Sequence, residues 1–261
     1  MNDLYIITGA TGGMGLDAAK HFAGKGKLLL LDVSIDRLNA VKSELTGEID
    51  VLKFDITLDQ DLDKLVEYVK KQGGFKHLLH FAGVSESMQN SELIYKINLI
   101  GTKRLLAALY DYAQKGGSLT LTASITAHTT PASKDIIELL KEPTKEDFLP
   151  KILPLTENTS IAYGWSKLGV SQIPKLEVSK WGQKDVRINS ISPGAIKTPM
   201  VEKEMEKNRA LIEQLIAATP AKRIGLPEDI TNLVAFLASE KASFITGADI
   251  IIDGGITPVM S

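Results

Sequence analysis

The chain has 261 residues, with 30 Lys and Arg against 32 Asp and Glu and a formal net charge of −2. A hydrophobic fraction of 44% describes a globular protein able to bury a sizeable core. The balanced charge, with no basic run, argues against electrostatic docking on nucleic acid or an anionic membrane. Cysteine is absent, which excludes a disulfide framework, a thiolate nucleophile and any cysteine-based metal site.

Met1 to Leu4 carries no basic segment leading into an apolar run, and the longest aliphatic run, Leu28 to Leu31, is too short to cross a bilayer. A cytoplasmic protein is expected. His21, His77, His80 and His128 form no ligand-spaced motif, so they read as packing or surface residues, and no metal site is expected.

In chain order, Leu4 to Thr8, Lys27 to Asp32, Asp50 to Phe54, His77 to Phe81 and Ser118 to Thr122 read as buried strands. Gly15 to Ala23, Ile35 to Leu45, Leu58 to Lys71 and Glu92 to Ala113 carry helical spacing between them. A helix over Ile161 to Trp181 and strands at Val186 to Ser192 and Asp249 to Ile252 complete the pattern. Alternating strands and helices imply right-handed βαβ crossovers. The expected fold is therefore α/β, with one doubly wound parallel sheet of about seven strands (a Rossmann arrangement) in a single domain over residues 1–261. One segment, residues 129–158, interrupts it. Pro131, Pro143, Pro150 and Pro154 break this segment into one or two short helices that read as an insertion. Asp36, Glu44, Asp59, Asp61 and Asp63 read as solvated helix faces and caps.

The first strand ends in Thr8-Gly9-Ala10-Thr11-Gly12-Gly13-Met14-Gly15, directly before a helical pattern. Glycines there permit a tight turn and let backbone N–H groups approach a pyrophosphate at the helix's positive end. Asp32 closes the second strand, where a carboxylate can accept hydrogen bonds from an adenosine ribose and repel a 2′-phosphate. Val33 and Ser34 follow it, and Arg37 lies a helical turn further on, so the sequence favours NAD over NADP. An N-cap aspartate for the next helix has the same placement.

Tyr163-Gly-Trp-Ser-Lys167 puts a tyrosine and a lysine on one face of a helix, one turn apart. An ammonium beside a phenol lowers the phenol's pKa and makes a proton donor and acceptor for a carbonyl/alcohol pair. A surface tyrosine packed along a lysine stem has the same spacing.

Taken with Asn98 and Ser124, these motifs resemble the short-chain dehydrogenase/reductase family from the first strand to Ile252-Asp253-Gly254-Gly255. The resemblance implies cofactor contacts from Gly9, Thr11, Gly12, Gly13, Met14, Gly15, Asp32 and Val33, and from Asp55 and Ile56 at the adenine. Ala82 and Gly83 match the end of the family's Asn-Asn-Ala-Gly strand, whose first two positions are His80 and Phe81 here. Pro193, Gly194, Ile196 and Thr198 resemble the segment that holds the nicotinamide carboxamide; Thr198 also suits an N-cap. The resemblance implies a catalytic set of Asn98, Ser124, Tyr163 and Lys167. Ser124 would bond the substrate oxygen, Tyr163 exchange the proton, Lys167 lower the Tyr163 pKa and contact the nicotinamide ribose, and Asn98 support a water-linked relay to Lys167. Residues 199–219, rich in Glu and Lys, correspond to a substrate-covering helical lid.

The insertion before Tyr163 and the Ile252 to Met260 tail are similar to the bacterial 3α-hydroxysteroid dehydrogenase/carbonyl reductase branch. The expected function is NAD(H)-dependent interconversion of a secondary alcohol and a carbonyl on a small-molecule substrate. A dedicated hydroxysteroid dehydrogenase and a non-catalytic NAD-binding redox sensor are the alternatives. A homodimer or homotetramer, built through the two long helices and the last strand, is the expected assembly.

Overall fold

Four consecutive leucines in the second strand, Leu28 to Leu31, are all fully buried, which only a strand covered on both faces allows. A computed structural model describes residues 3–198 and 209–260. Its strands are β1 (Leu4–Thr8), β2 (Lys27–Asp32), β3 (Ile49–Lys53), β4 (Phe75–His80), β5 (Ala113–Thr122), β6 (Arg187–Pro193) and β7 (Asp249–Ile252). They form one parallel sheet in the order β3-β2-β1-β4-β5-β6-β7. The helices that position the site are α1 (Gly13–Phe22), α2 (Ile35–Glu44), α3 (Asp59–Lys71), α4 (Ser91–Tyr95), α5 (Thr102–Leu109) and, further on, α6 to α9.

Leu29 and Leu31 enter the core on the side of α3, α4 and α5, while Leu28 and Leu30 enter the one beneath α1 and α2. Each such side chain removed from water contributes about 1.5–3 kcal/mol. The strand order reverses between β1 and β4, so a crevice opens past Thr8 and His80 at their carboxyl ends.

The first, second and seventh strands have the expected bounds. The stretch expected as one helix from Glu92 to Ala113 is broken. After α4 the chain widens into a π-turn over Lys96–Gly101, resumes as α5, and tightens to a 3₁₀ turn at Tyr110–Tyr112. Ala113 already belongs to β5, which begins five residues before the expected Ser118. A second correction concerns Asp61, which is buried rather than solvated. It accepts the Asp55 backbone N–H at 3.0 Å and the Lys64 ammonium at 2.9 Å, and so pins the turn after β3.

Residues 129–158 do form short helices. After α6 (Thr126–Thr129) come α7 (Lys134–Lys141) and α8 (Phe148–Ile152), then a 3₁₀ turn at Leu153–Leu155. They lie against α9 (Thr159–Gly182) and α4. Phe148 meets the Tyr95 ring edge-on at 5.8 Å, the Tyr95 hydroxyl bonds Thr156 Oγ1 at 3.0 Å, and Trp165 Nε1 donates to the Pro131 carbonyl at 2.8 Å. Gly164 is glycine for a steric reason, since a Cβ there would overlap the Thr130 hydroxyl. His128, read as a packing or surface residue, is exposed, and it bonds Asp249 at 2.8 Å and ties α6 to β7. Of the segment expected as a lid, Arg209–Ala218 is helical, and residues 199–208 lie outside the described residues. No described helix is long and apolar enough to cross a membrane.

Candidate active site

The glycine loop leaves β1 at Gly9, whose φ of +66° and approach to Ala82 admit no side chain: a Cβ would sit 2.9 Å from the Ala82 nitrogen. Gly12 caps α1 with no side-chain bond, and the first turn of α1, containing Gly13, Met14 and Gly15, carries no acidic residue. Its amides are therefore left for an anion at the positive end of the helix. Thr198 lies over this loop, since a Cβ on Gly13 would meet the Thr198 methyl at 2.7 Å.

Asp32 accepts the Thr11 amide at 3.1 Å and the Thr11 hydroxyl at 2.7 Å, both on Oδ2. Arg37 departs from expectation. Its guanidinium reaches back to the Thr11 carbonyl at 2.7 Å, so a cation does stand on the loop that Asp32 holds. Val33 is exposed beside Asp32, and Ile56 is buried against the π-turn at Gly101. Asp55 accepts the Thr57 amide at 2.9 Å and the Thr57 hydroxyl at 2.7 Å, both on Oδ1. On the far side, the Pro193 carbonyl accepts from Ile125 N–H at 3.0 Å and Gly194 N–H donates to the Ile252 carbonyl at 3.0 Å. Ile196 is buried and bridges to Gly225. These bonds hold the Pro-Gly turn on the sheet edge facing the glycine loop.

Ser124, Tyr163, Lys167 and Asn98 come together where β5 ends. The Tyr163 phenol faces the Ser124 hydroxyl closely enough for its pKa to be pulled down by it, and Ser124 Oγ accepts the Thr126 amide at 3.2 Å. Lys167 Nζ sits 5.9 Å from the centre of the Tyr163 ring and donates to the Thr122 carbonyl at 2.7 Å. A Cβ on Gly83 would lie 3.2 Å from Asn98 Oδ1 and 3.3 Å from Lys167 Nζ, so the Ala82-Gly83 turn closes one wall of the cluster.

One expectation about this cluster changes. Burial pushes the Tyr163 phenol up, more than the Ser124 hydroxyl pulls it down, with the Glu86 carboxylate adding to the rise. Lys167 itself is pushed down by burial to about 8. Desolvation disfavours both charged forms here and outweighs the expected depression of the phenol by the ammonium. Asn98, in the π-turn, makes no direct side-chain bond to Lys167, and the link expected between them runs through water. The Asn98 side chain clamps Val84, accepting its N–H and donating to its carbonyl at 2.9 Å each, and donates to Ser166 Oγ at 3.1 Å. Ser166 in turn donates to the Tyr163 carbonyl at 2.8 Å.

Ser166, Thr122 and Arg37 were not assigned roles by the sequence. The signal for Ser166 was available, as the residue before Lys167 and three past Tyr163 on the same helix. Thr122 acts through its carbonyl, which no residue type announces. Among the described residues no cluster of three or more His, Asp or Glu could hold a metal.

Comparison with known proteins agrees with this geometry. The family model described as short chain dehydrogenase matches residues 4–134, and that described as enoyl-(acyl carrier protein) reductase matches residues 154–257. A short-chain dehydrogenase/reductase of Alternaria brassicicola is 31% identical over 98% of this chain and 96% of its own. A 7alpha-hydroxysteroid dehydrogenase of Bacteroides fragilis is 26% identical over 98% and 95%. The solved structure of a short-chain type dehydrogenase/reductase from Mycobacterium ulcerans superposes with a TM-score of 0.80 at 27% identity, covering 98% of this chain and 90% of that one. With the seven-stranded parallel sheet, the glycine loop and the Ser124–Tyr163–Lys167 cluster already in place, these matches show that the chain belongs to the short-chain dehydrogenase/reductase family of oxidoreductases.

Proposed function

We propose that this protein is an NAD(H)-dependent oxidoreductase that interconverts a secondary alcohol and a ketone or aldehyde, with Tyr163 as proton donor and acceptor. The observation that carries the reading is the convergence of the Tyr163 phenol, the buried Ser124 hydroxyl and the buried Lys167 ammonium, whose Nζ lies 5.9 Å from the centre of the Tyr163 ring. A substrate oxygen placed between these two hydroxyls meets two O–H donors at once.

The residues fit a dinucleotide. Gly9 to Gly15 offer a helix start with no side-chain cap, Asp32 keeps Oδ1 for ribose hydroxyls, and the Gly83 turn flanks Lys167. Bound nicotinamide would supply or take the hydride. In reduction, Ser124 polarises the carbonyl and Tyr163 delivers its phenolic proton to the forming alkoxide. In oxidation, the Tyr163 phenolate takes the alcohol proton, and the Lys167 charge stabilises that phenolate. Asn98 holds the Val84 backbone and, through Ser166, the helix that carries Tyr163.

For substrate we propose a bulky apolar ketone or secondary alcohol. The insertion places the buried Ile136, Leu140 and Phe148 in the same core cluster as Trp165, two residues from Tyr163. The likeness to a 7alpha-hydroxysteroid dehydrogenase supports the hydroxysteroid version of this reading. A spectrophotometric screen of steroid, cyclic and aliphatic alcohols with NAD and NADP tests it. Tight NADH binding without turnover on any of them would leave only the sensor reading.

The cofactor choice rests on Asp32. Asp32→Ala is expected to shift the NADPH-to-NADH affinity ratio at least about tenfold toward NADPH, because a repulsion of about 1.4 kcal/mol is one decade. Arg37, already on the Thr11 carbonyl, then becomes the partner for a 2′-phosphate. Fluorescence titration with both nucleotides measures the ratio, and an unchanged ratio refutes the role of Asp32.

A further inference from the structure

The position where the family carries an asparagine is His80 here, at the last residue of β4. It is buried to 2% exposure, and both of its ring nitrogens are engaged. Nδ1 lies 2.7 Å from Thr8 Oγ1 and Nε2 lies 2.8 Å from Thr102 Oγ1. The outer partners fix the direction of every bond. Thr102 Oγ1 donates its one proton to the Asn98 carbonyl at 2.6 Å, so towards His80 it can only accept. His80 therefore carries its proton on Nε2, and bare Nδ1 must accept from the Thr8 hydroxyl. Thr8 Oγ1 in turn accepts the Ala82 N–H at 3.1 Å. Five groups thus form one chain of bonds pointing the same way, from Ala82 N–H through Thr8, His80 and Thr102 to the Asn98 carbonyl. Burial pushes the imidazole down to about 3, with the Lys167 charge adding to the effect, so the ring stays neutral in the physiological range.

The two ends of this chain already face each other by another route. The Asn98 side chain clamps Val84 through two bonds of 2.9 Å, and Gly83 packs against Asn98 and Lys167. The segment Ala82-Gly83-Val84 is therefore tied to Asn98 twice, once through the Asn98 side chain and once through its main chain. A shift of either wall would alter the space beside Lys167. An asparagine at position 80 is too short to span both threonine hydroxyls, which the imidazole reaches with nitrogens on opposite sides of its ring.

We propose that His80, as the neutral Nε2–H tautomer, is a positioning residue that locks the Ala82-Gly83 cofactor wall to the Asn98 π-turn through Thr8 and Thr102. Its effect on turnover rests on the oxidoreductase reading above, whereas its tautomer and its effect on NADH binding do not.

Nitrogen-15 NMR of the native protein should show the His80 ring neutral, with a slowly exchanging proton on Nε2. A proton on Nδ1, or a charged ring at neutral pH, overturns the proposal without any substitution being made. In a mutant cycle, Thr8→Val and Thr102→Val should each lower kcat about three- to tenfold, and the double variant should be little worse than either single one. The NADH Kd should show the same non-additivity. The imidazole is the route that joins the two threonine hydroxyls themselves, so in a His80→Leu background most of the coupling should be lost and their effects should approach additivity. His80→Leu should lower kcat about tenfold while the carbonyl KM moves less than about twofold, and His80→Gln, which has an acceptor and a donor at similar reach, should recover most of the loss. Additive effects with His80 present, or no recovery by Gln, overturn the relay. If the native enzyme shows no turnover, only the oxidoreductase reading fails, and the tautomer and the Kd cycle decide the relay.

Discussion

Tyr163→Phe is expected to lower turnover about 10³-fold while NADH affinity stays within about twofold, since a positioned general acid contributes about 10²–10⁴. The substitution removes one oxygen and keeps the ring that packs against the insertion side of the core. Its structural cost is small because the nearby Ser124 hydroxyl retains the Thr126 amide as a partner. The expected signature is a fall in kcat and kcat/KM together, the pattern of an interaction made in the transition state. Stopped-flow and steady-state assays with the best substrate from the alcohol screen measure it. Turnover within tenfold of the native enzyme would remove Tyr163 from the proton-transfer role and leave Ser124 as the only hydroxyl in the cluster able to fill it.

The reach of sequence reasoning differs between parts of the molecule for physical reasons. β1, β2 and the glycine loop were legible because both signals are local: a run of aliphatic residues, then glycines where the backbone must turn tightly. The helix over Glu92–Ala113 was not legible as a broken one. A π-turn inserts a single residue and barely disturbs the apolar spacing, so Asn98 looks like an ordinary helical position. The early start of β5 was hidden by Gly116 and Gly117, which read as a loop. Gly116 instead takes a φ of +73° inside the strand span, next to a register shift in the pairing with β4. Asp61 and Arg37 have the charge and spacing of solvated helix residues, and only tertiary packing decides that Asp61 is buried and that Arg37 reaches back to the glycine loop. The four residues Asn98, Ser124, Tyr163 and Lys167 were legible as types at intervals. Their couplings through Ser166, the Thr122 carbonyl and His80 depend on contacts between elements far apart in the chain.

Lys167 separates function from stability most sharply. The ammonium is buried, is pushed down by burial from 10.5 to about 8, and has the Thr122 carbonyl as its hydrogen-bond acceptor. Below pH 8 the lysine is protonated in both the folded and unfolded chain, so the folded state bears the whole desolvation cost. Between about 8 and 10.5 the unfolded chain holds a proton that the folded one has released, so unfolding takes up a proton and stability rises with pH. Above that window the lysine is neutral in both states and the cost is gone. Lys167→Met deletes this linkage. At about 1.4 kcal/mol per pKa unit, the stability of the variant relative to the native protein should fall by about 3 kcal/mol from pH 7.5 to pH 10.5. At neutral pH, relief of the buried charge opposes the orphaned Thr122 carbonyl, a loss of about 1–3 kcal/mol, so the variant should be about as stable as the native protein or more so. Its turnover should nevertheless be lost, because no charge remains to stabilise the Tyr163 phenolate. Urea titrations of both proteins across the pH range provide the measurement. A pH-independent difference would show that the lysine is not buried as a titrating ammonium, and retained turnover would show that its charge is not what the tyrosine needs.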